Sequence, residues 1–253
     1  MQAREGRKAA IVTGASRGIG EATARLLAAR GFAVLVNWLN DELAARTVVA
    51  AIRQAGGEAI AFHADVSNEG EVSAMFDAAA SELGYVAGLV NNAGVTGRST
   101  RLEDVDAEDV HHVLSVNVLG TILCAREAVR RMSTRRQGRG GAIVNIGSLA
   151  ARIGAANEWI HYAASKGAVH TLTVGLAREV AAEGIRVNCV APGLIETGLH
   201  AASGRPDRLE RLRSSIPMLR PGLAEEVASS VAWLLSPEAS YVTAAILEVG
   251  GGR

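Results

Sequence analysis

The chain has 253 residues, 49% of them hydrophobic, and its 26 basic and 26 acidic side chains give a formal net charge of zero. That balance supplies apolar material for a large core and offers nucleic acid no broad electrostatic attraction. The two cysteines, Cys124 and Cys189, lie far apart in apolar stretches, which suits buried thiols in a reducing compartment better than a disulfide framework, and no CxxC spacing suggests a metal. The start, Met1 to Lys8, is short and polar, and no apolar stretch is expected to cross a bilayer. A cytoplasmic location, with neither membrane nor nucleic acid as partner, is the simplest expectation.

Short runs rich in Val, Ile and Ala alternate with stretches of helical period. In chain order the pattern predicts a strand near Ala9 to Thr13 and a helix near Ile19 to Arg30. A strand near Ala33 to Asn37 and a helix near Asp41 to Ala55 follow, then a strand near Ala59 to Ala64 and a helix near Glu69 to Leu83. Next come a strand near Gly88 to Asn91 with a helix near Ala107 to Met132, and a strand near Ala142 to Ile146 with a helix near Tyr162 to Glu183. A strand near Arg186 to Val190, a helix near Ala224 to Leu235 and a strand near Ala245 to Val249 complete the series. Continuously apolar strands suit a parallel sheet buried on both faces. The alternation predicts one doubly wound α/β domain over residues 1–253, with helices on both faces of the sheet. No repeat of 20 to 50 residues interrupts it. Two polar stretches do, Arg130 to Arg139 and Glu196 to Arg213, and the second follows a strand end, where ligands of such sheets bind.

The first strand runs into Thr13-Gly14-Ala15-Ser16-Arg17-Gly18-Ile19-Gly20 and then a helix. Glycines there let the chain turn tightly, let a pyrophosphate approach the backbone and leave the helix N-terminus open to negative charge. A plain structural turn is the rival reading. Followed in order by Asn91-Asn92-Ala93-Gly94, Tyr162-x-x-x-Lys166 and Pro192-Gly193, the turn makes essentially the whole chain resemble the classical short-chain dehydrogenase/reductase family. Members similar to 3-oxoacyl carrier protein reductases and to glucose dehydrogenases come nearest in pattern. The resemblance implies a Rossmann-type sheet of about seven strands, a nicotinamide cofactor, and reversible hydride transfer to a ketone from that cofactor or to it from a secondary alcohol.

For the cofactor, the resemblance points to Gly14, Ser16, Arg17, Gly18 and Ile19 of the turn, and to Asp65 and Val66 beside the adenine. It further points to Asn91, Ala93 and Gly94 at the fourth strand end, to Tyr162 and Lys166, and to Pro192, Gly193, Ile195 and Thr197 around the nicotinamide. Asp65 or Ser67 has the alternative role of a helix N-cap, and the 91–94 segment that of a structural turn. The second strand ends Val34-Leu35-Val36-Asn37-Trp38, with no carboxylate to accept from a free ribose 2′-hydroxyl, and Asp41 is read as a cap. Arg17 is a cation suited to a 2′-phosphate, with Asn37 as its partner in reading it. NADP(H) is therefore expected, with NAD(H) as the alternative.

Tyr162 and Lys166, four residues apart at the start of a helical stretch, share one face. A carbonyl gaining hydride needs a proton at its oxygen, and Lys166 is expected to lower the tyrosine pKa so that the phenol can supply it. Ser148 ends the fifth strand, where its hydroxyl could hold the reacting oxygen. The interval from Leu149 to His161 is one residue longer than the family usually has, which bears on the pose of Ser148. Asn117 is a polar residue in an otherwise apolar helix and reads as a satisfied core amide. The resemblance instead assigns it to a proton relay that completes the tetrad Asn117, Ser148, Tyr162, Lys166, its side chain bending the helix and holding a water near the lysine. His161 should point away from Tyr162, and His111, His112 and His170 have no spacing for metal binding, so no catalytic histidine and no metal are expected.

The segment 194–221 is expected to cover the substrate as a lid. The basic run Arg130, Arg131, Arg135, Arg136 and Arg139 is either a solvated loop or a dock for an acidic acyl carrier protein. Besides a small carbonyl or alcohol substrate, family habit implies a homotetramer built on the long helices. The alternative from another class is a non-catalytic dinucleotide sensor or scaffold, against which the intact tetrad argues.

Overall fold

In the computed structural model, which describes residues 6–198 and 207–253, the apolar runs form the strands β1 Lys8–Val12, β2 Ala33–Trp38, β3 Glu58–His63, β4 Tyr85–Asn91, β5 Gly141–Ile146, β6 Ile185–Pro192 and β7 Ile246–Val249. They build one seven-stranded sheet in the order β3-β2-β1-β4-β5-β6-β7, each neighbouring pair parallel. The helices that return the chain are α1 Gly18–Ala29, α2 Glu42–Gln54, α3 Glu69–Ala78, α4 Ala107–Leu114, α5 Gly120–Met132, α6 Ala150–Ile153, α7 Ile160–Val180, α8 Arg208–Leu212 and α9 Ala224–Leu235. This is the single-domain Rossmann-type architecture the sequence predicted.

Successive strand residues face opposite sides, so the sheet feeds two cores. Ala10, Val12, Val34 and Val36 pack with Leu27 of α1, Val48 of α2 and Val231 of α9. Ala9, Ile11, Leu35 and Leu89 pack on the other face with Phe76 of α3, Ala128 of α5 and Ala177 of α7. Each of the larger side chains, Val, Leu, Ile or Phe, taken fully from water contributes roughly 1.5–3 kcal/mol.

Three expectations are corrected. The predicted helix near Ala107 to Met132 is divided by a π-helical turn, Ser115–Leu119, between α4 and α5. A short helix, α6, stands where a plain loop was expected between Ser148 and Tyr162. Ala107–Met132 also proves long and apolar enough, by length and composition, to cross a membrane, but half of its most apolar stretch is buried inside the fold, where Cys124 and Ala128 face the sheet.

Chain connections leave β1 and β4 in opposite directions along the sheet. The crevice at the carboxyl ends of these two strands is the switch point where ligands of open α/β sheets bind.

Candidate active site

The turn after β1 is shaped by backbone contacts that leave no room for side chains. Gly14 and Gly18 have φ of +59° and +57°, and a Cβ on Gly14 would stand 2.9 Å from the Ala93 Cα. Thr13 Oγ1 accepts from the N–H groups of Asn92 and Ala93, both at 3.0 Å. Asn92 Nδ2 donates to the carbonyls of Thr13 (2.8 Å) and Gly14 (2.9 Å). The segment Asn91 to Gly94 therefore braces the glycine turn, and Asn92 does so most directly, although only its neighbours were singled out from sequence. Ser16 and Ile19 are half-buried, and Arg17 is exposed. Arg17 is the N-cap of α1 but supplies no side-chain cap, whereas Asp41 caps α2 and Asn68 caps α3. The first N–H groups of α1 thus remain open to an anion.

Asn37 departs from its expected role. It is 2% exposed; its Oδ1 accepts from the Gly14 N–H (3.0 Å) and its Nδ2 donates to the Ala64 carbonyl (3.0 Å). Both ends of the amide are spent on holding the turn against β3, so it cannot read a 2′-phosphate. Arg17 is exposed beside the turn, and among the described residues its guanidinium pairs with no carboxylate; the nearby Glu21 is held by Arg25. Asp65 is no helix cap, since Asn68 fills that position. Its Oδ1 accepts from the Ser67 N–H (2.8 Å) and hydroxyl (2.7 Å), which fixes the carboxylate at the sheet edge. Val66, 6% exposed, packs against Gly120, where any Cβ would collide with it. The Asn91 side chain points inward: Nδ2 donates to Asn145 Oδ1 (2.9 Å), and Asn145 donates on to Thr173 Oγ1 (2.9 Å).

Tyr162, in the first turn of α7, is half-buried. Burial pushes its phenol up, and a hydrogen bond with the Ser148 hydroxyl and the charge of Arg208 offset this only in part. Lys166, one turn on, is 5% exposed; burial pushes its amine down to about 8. Its Nζ donates to the Ile146 carbonyl (2.8 Å) and lies 5.7 Å from the centroid of the Tyr162 ring. The expected lowering of the tyrosine pKa by Lys166 is thus not what this geometry gives. The acting cation is Arg208, and the phenol stays in its protonated, donor form. Ser148 and Tyr162 line the same cleft despite the longer interval. The intervening chain folds into α6, held by the Ala150 N–H donating to Ser148 Oγ (3.0 Å), and left-handed conformations at Gly154, Ala155 and Asn157 take up the slack.

Asn117 lies in the π-helical turn, fully buried. Its Oδ1 accepts from the Val95 N–H and its Nδ2 donates to the Val95 carbonyl, both at 2.8 Å, and Nδ2 also donates to Ser165 Oγ (2.9 Å). Ser165 Oγ in turn donates to the Tyr162 carbonyl (2.7 Å). Both amide protons are committed to protein, so the side chain clamps the 95 loop to the catalytic helix, and the water-holding role expected of it has no donor left. A Cβ on Gly94 would lie 3.2 Å from Asn117 Oδ1 and 3.5 Å from Lys166 Nζ, so the amide and the amine meet at this glycine.

Pro192 and Gly193 close β6. The Leu149 N–H donates to the Pro192 carbonyl (3.0 Å), tying this turn to Ser148's neighbour. Ile195 is buried and bridges Gly222. The Thr197 methyl lies 3.4 Å from where Gly18 would carry a Cβ, across the glycine turn. Residues 199–206, the middle of the expected lid, lie outside the described residues. A cleft lined by Ser148 and Tyr162 is also lined by Leu149, Ile153 and Leu194, and by Trp159, Arg208 and Arg253. None of these last three was foreseen, because nothing local marks a Trp or Arg in a loop as facing a cleft.

His161 faces Asp109, with Nε2 3.2 Å from Oδ2, and not the phenol; His111 and His112 are exposed. No group of three metal-ligating side chains occurs among the described residues. In the basic run, Arg130 and Arg131 pair with Glu127, Arg131 also with Asp77 (2.6 Å), and Arg135 with Glu183 (3.1 Å). Arg139 lies over the Tyr85 ring at 4.8 Å. The run precedes β5, at the sheet edge opposite Ser148.

A doubly wound sheet with a glycine cradle at its switch point, next to a Ser-Tyr-Lys group, defines an oxidoreductase of the nicotinamide-using class. The chain belongs to the short-chain dehydrogenase/reductase family: the family profile described as enoyl-(acyl carrier protein) reductase matches residues 14–253. It is similar to the uncharacterized oxidoreductase YgfF of Escherichia coli (strain K12), 52% identical over 96% of this chain and 99% of that one. It is also similar to glucose 1-dehydrogenase 2 of Bacillus subtilis (strain 168), 38% identical over 97% of this chain and 94% of that one. Among solved structures, a dehydrogenase/reductase from Sinorhizobium meliloti 1021 superposes with a TM-score of 0.89 at 37% identity, covering 98% of this chain and 95% of that one.

Proposed function

We propose that the protein interconverts a ketone and a secondary alcohol with NADP(H), in preference to NAD(H), using Tyr162 as acid and base. The observation that carries this reading is that Ser148 and Tyr162 line one cleft, with Lys166 one helical turn on from the tyrosine.

The cradle fits a dinucleotide. A side chain at Gly14 or Gly20 would collide with the segment that braces the turn and distort it, and the uncapped N-terminus of α1 offers a pyrophosphate N–H donors. In this reading Asp65 serves the adenine, Arg17 a 2′-phosphate, and Pro192 to Thr197 the nicotinamide side. When bound, the nicotinamide supplies or takes up the hydride at the reacting carbon. Ser148 holds the reacting oxygen, and Tyr162 delivers its proton to that oxygen during reduction or removes one during oxidation. The charge of Arg208 favours the phenolate left behind, and Lys166, donating to the Ile146 carbonyl one turn on, faces the nicotinamide side of the site. Asn117 keeps α7 and the 95 loop in register through Ser165 and Val95.

A small molecule is the better substrate class. An acyl carrier protein docked on the basic run would sit across the sheet from the cleft, against arginines already paired within the fold. The buried thiols of Cys124 and Cys189, both pushed up to about 12 chiefly by burial, are consistent with a reducing, cytoplasmic setting. Replacing Tyr162 by Phe removes only the phenol oxygen. Turnover of a ketone should fall by at least about 10²-fold while NADPH affinity stays. Undiminished turnover would overturn the reading, and a sensor would show no turnover even with Tyr162 in place.

A further inference from the structure

The cleft that Ser148 and Tyr162 line also carries hydrogen-bond donors from Trp159, Arg208 and Arg253. Arg208, 11% exposed at its side chain, lies with its guanidinium 4.7 Å from the centroid of the Trp159 ring. Its Nε and Nη2 both donate to Glu158 Oε2, at 3.0 and 2.9 Å. This grip leaves Nη1 with no partner among the described residues. Arg211 donates to the other Glu158 oxygen at 2.6 Å, so this one carboxylate already serves two guanidinium groups. Burial would raise Glu158, but the hydrogen bonds from the two arginines outweigh it and hold the carboxyl below its usual range.

Arg253 lines the same cleft, partly buried, and its guanidinium meets no carboxylate within ion-pair distance among the described residues. Burial and the neighbouring charge of Arg208 both push it down. Trp159 is 3% exposed, and its indole Nε1–H is buried with no acceptor. A buried donor without an acceptor is unfavourable, and three guanidinium groups, Arg208, Arg211 and Arg253, around the one carboxylate of Glu158 leave net positive charge there. Among the described residues, the cleft is thus short of acceptors and of negative charge around Arg208 and Arg253.

We propose that the substrate carries a carboxylate on a carbon skeleton that spans from the reacting carbonyl at Ser148 and Tyr162 to Arg208 and Arg253, with Glu158 and Trp159 holding Arg208 in place. The proposal rests on the dehydrogenase reading of Tyr162 for the identity of the reacting end. Leu149, Ile153 and Leu194 suit an apolar linker between the two ends. Arg208 and Arg253 are specificity residues for the anion, and Glu158 is a positioning residue.

The test is calorimetric binding to Tyr162→Phe protein loaded with NADPH, using levulinate and its longer oxo-acid homologues, each beside its methyl ester. At least one acid should bind about tenfold or more tightly than its ester, its affinity should fall with added salt, and Arg208→Gln should shrink the acid-to-ester ratio toward one. Equal binding of every acid and its ester, or binding of neither, overturns the proposal. The salt dependence is read on protein with Arg208 intact, so the test survives a misfolded Arg208 variant. Acids that bind preferentially but are not reduced by protein retaining Tyr162 support the anion site and count against the dehydrogenase reading instead.

Discussion

Lys166 carries the sharpest consequence of burial for a single side chain. Unfolded, its amine holds its proton up to about 10.5; folded, it releases it from about 8. Between those values the unfolded chain binds more protons at this site, so Lys166 opposes folding below pH 8 and that opposition is relieved as pH rises. A depression of this size corresponds to about 3 kcal/mol. Denaturation of ligand-free protein should therefore show it gaining stability relative to a Lys166→Met variant between pH 8 and 10. A difference that stays flat over that window contradicts the account. The pattern Tyr-x-x-x-Lys was legible in the sequence because spacing alone puts both on one helix face. Asn37 was not, because a polar residue at a strand end looks the same whether it faces a ligand or, as here, ties the Gly14 turn to Ala64. Trp159, Arg208 and Arg253 were illegible for a related reason: they meet only through the fold.

The glycine turn and α1 act as one element. Gly20 sits inside the helix, where alanine is ordinarily better by about 1 kcal/mol. Here a Cβ would stand 2.5 Å from both Asn92 Nδ2 and the Gly14 carbonyl, and 2.9 Å from the Ala15 Cα. Two of these three contacts are backbone, which cannot swing away, and overpacking of this kind costs about 1–3 kcal/mol. Gly20→Ala should lower the denaturation midpoint and weaken dinucleotide binding together; a stabilised variant would show that the cradle is not as tight as described. The turn itself could be read from sequence because glycine's freedom is local. The π-helical turn at Asn117 could not, because it is set by the clamp on Val95, a contact 22 residues away in the chain. The same limit hid α6, whose position depends on Ser148 accepting from Ala150 and on three left-handed residues absorbing one extra position.

Taken whole, the molecule buries both faces of its sheet but leaves an apolar line on α4, the π-helical turn and α5: Leu114, Leu119 and Ile122 are 40%, 44% and 41% exposed. Exposed apolar residues gathered on one helix run suit contact with a second copy, and we propose that this face takes part in a homotetramer. Light scattering should give about four times the 26.2 kDa chain mass, and Ile122→Glu should yield a smaller species; a monomer before any substitution would contradict this.

The architecture was legible throughout because alternating apolar runs and helices permit few topologies, and the switch point follows from strand order. On the proposed reading, this crevice holds a nicotinamide dinucleotide with its reactive ring beside Tyr162. Titration of the purified protein with NADPH and, separately, NADH, followed by nicotinamide fluorescence, tests it most directly. The account predicts saturable binding of NADPH, tighter than that of NADH through Arg17; saturable binding of neither would contradict it.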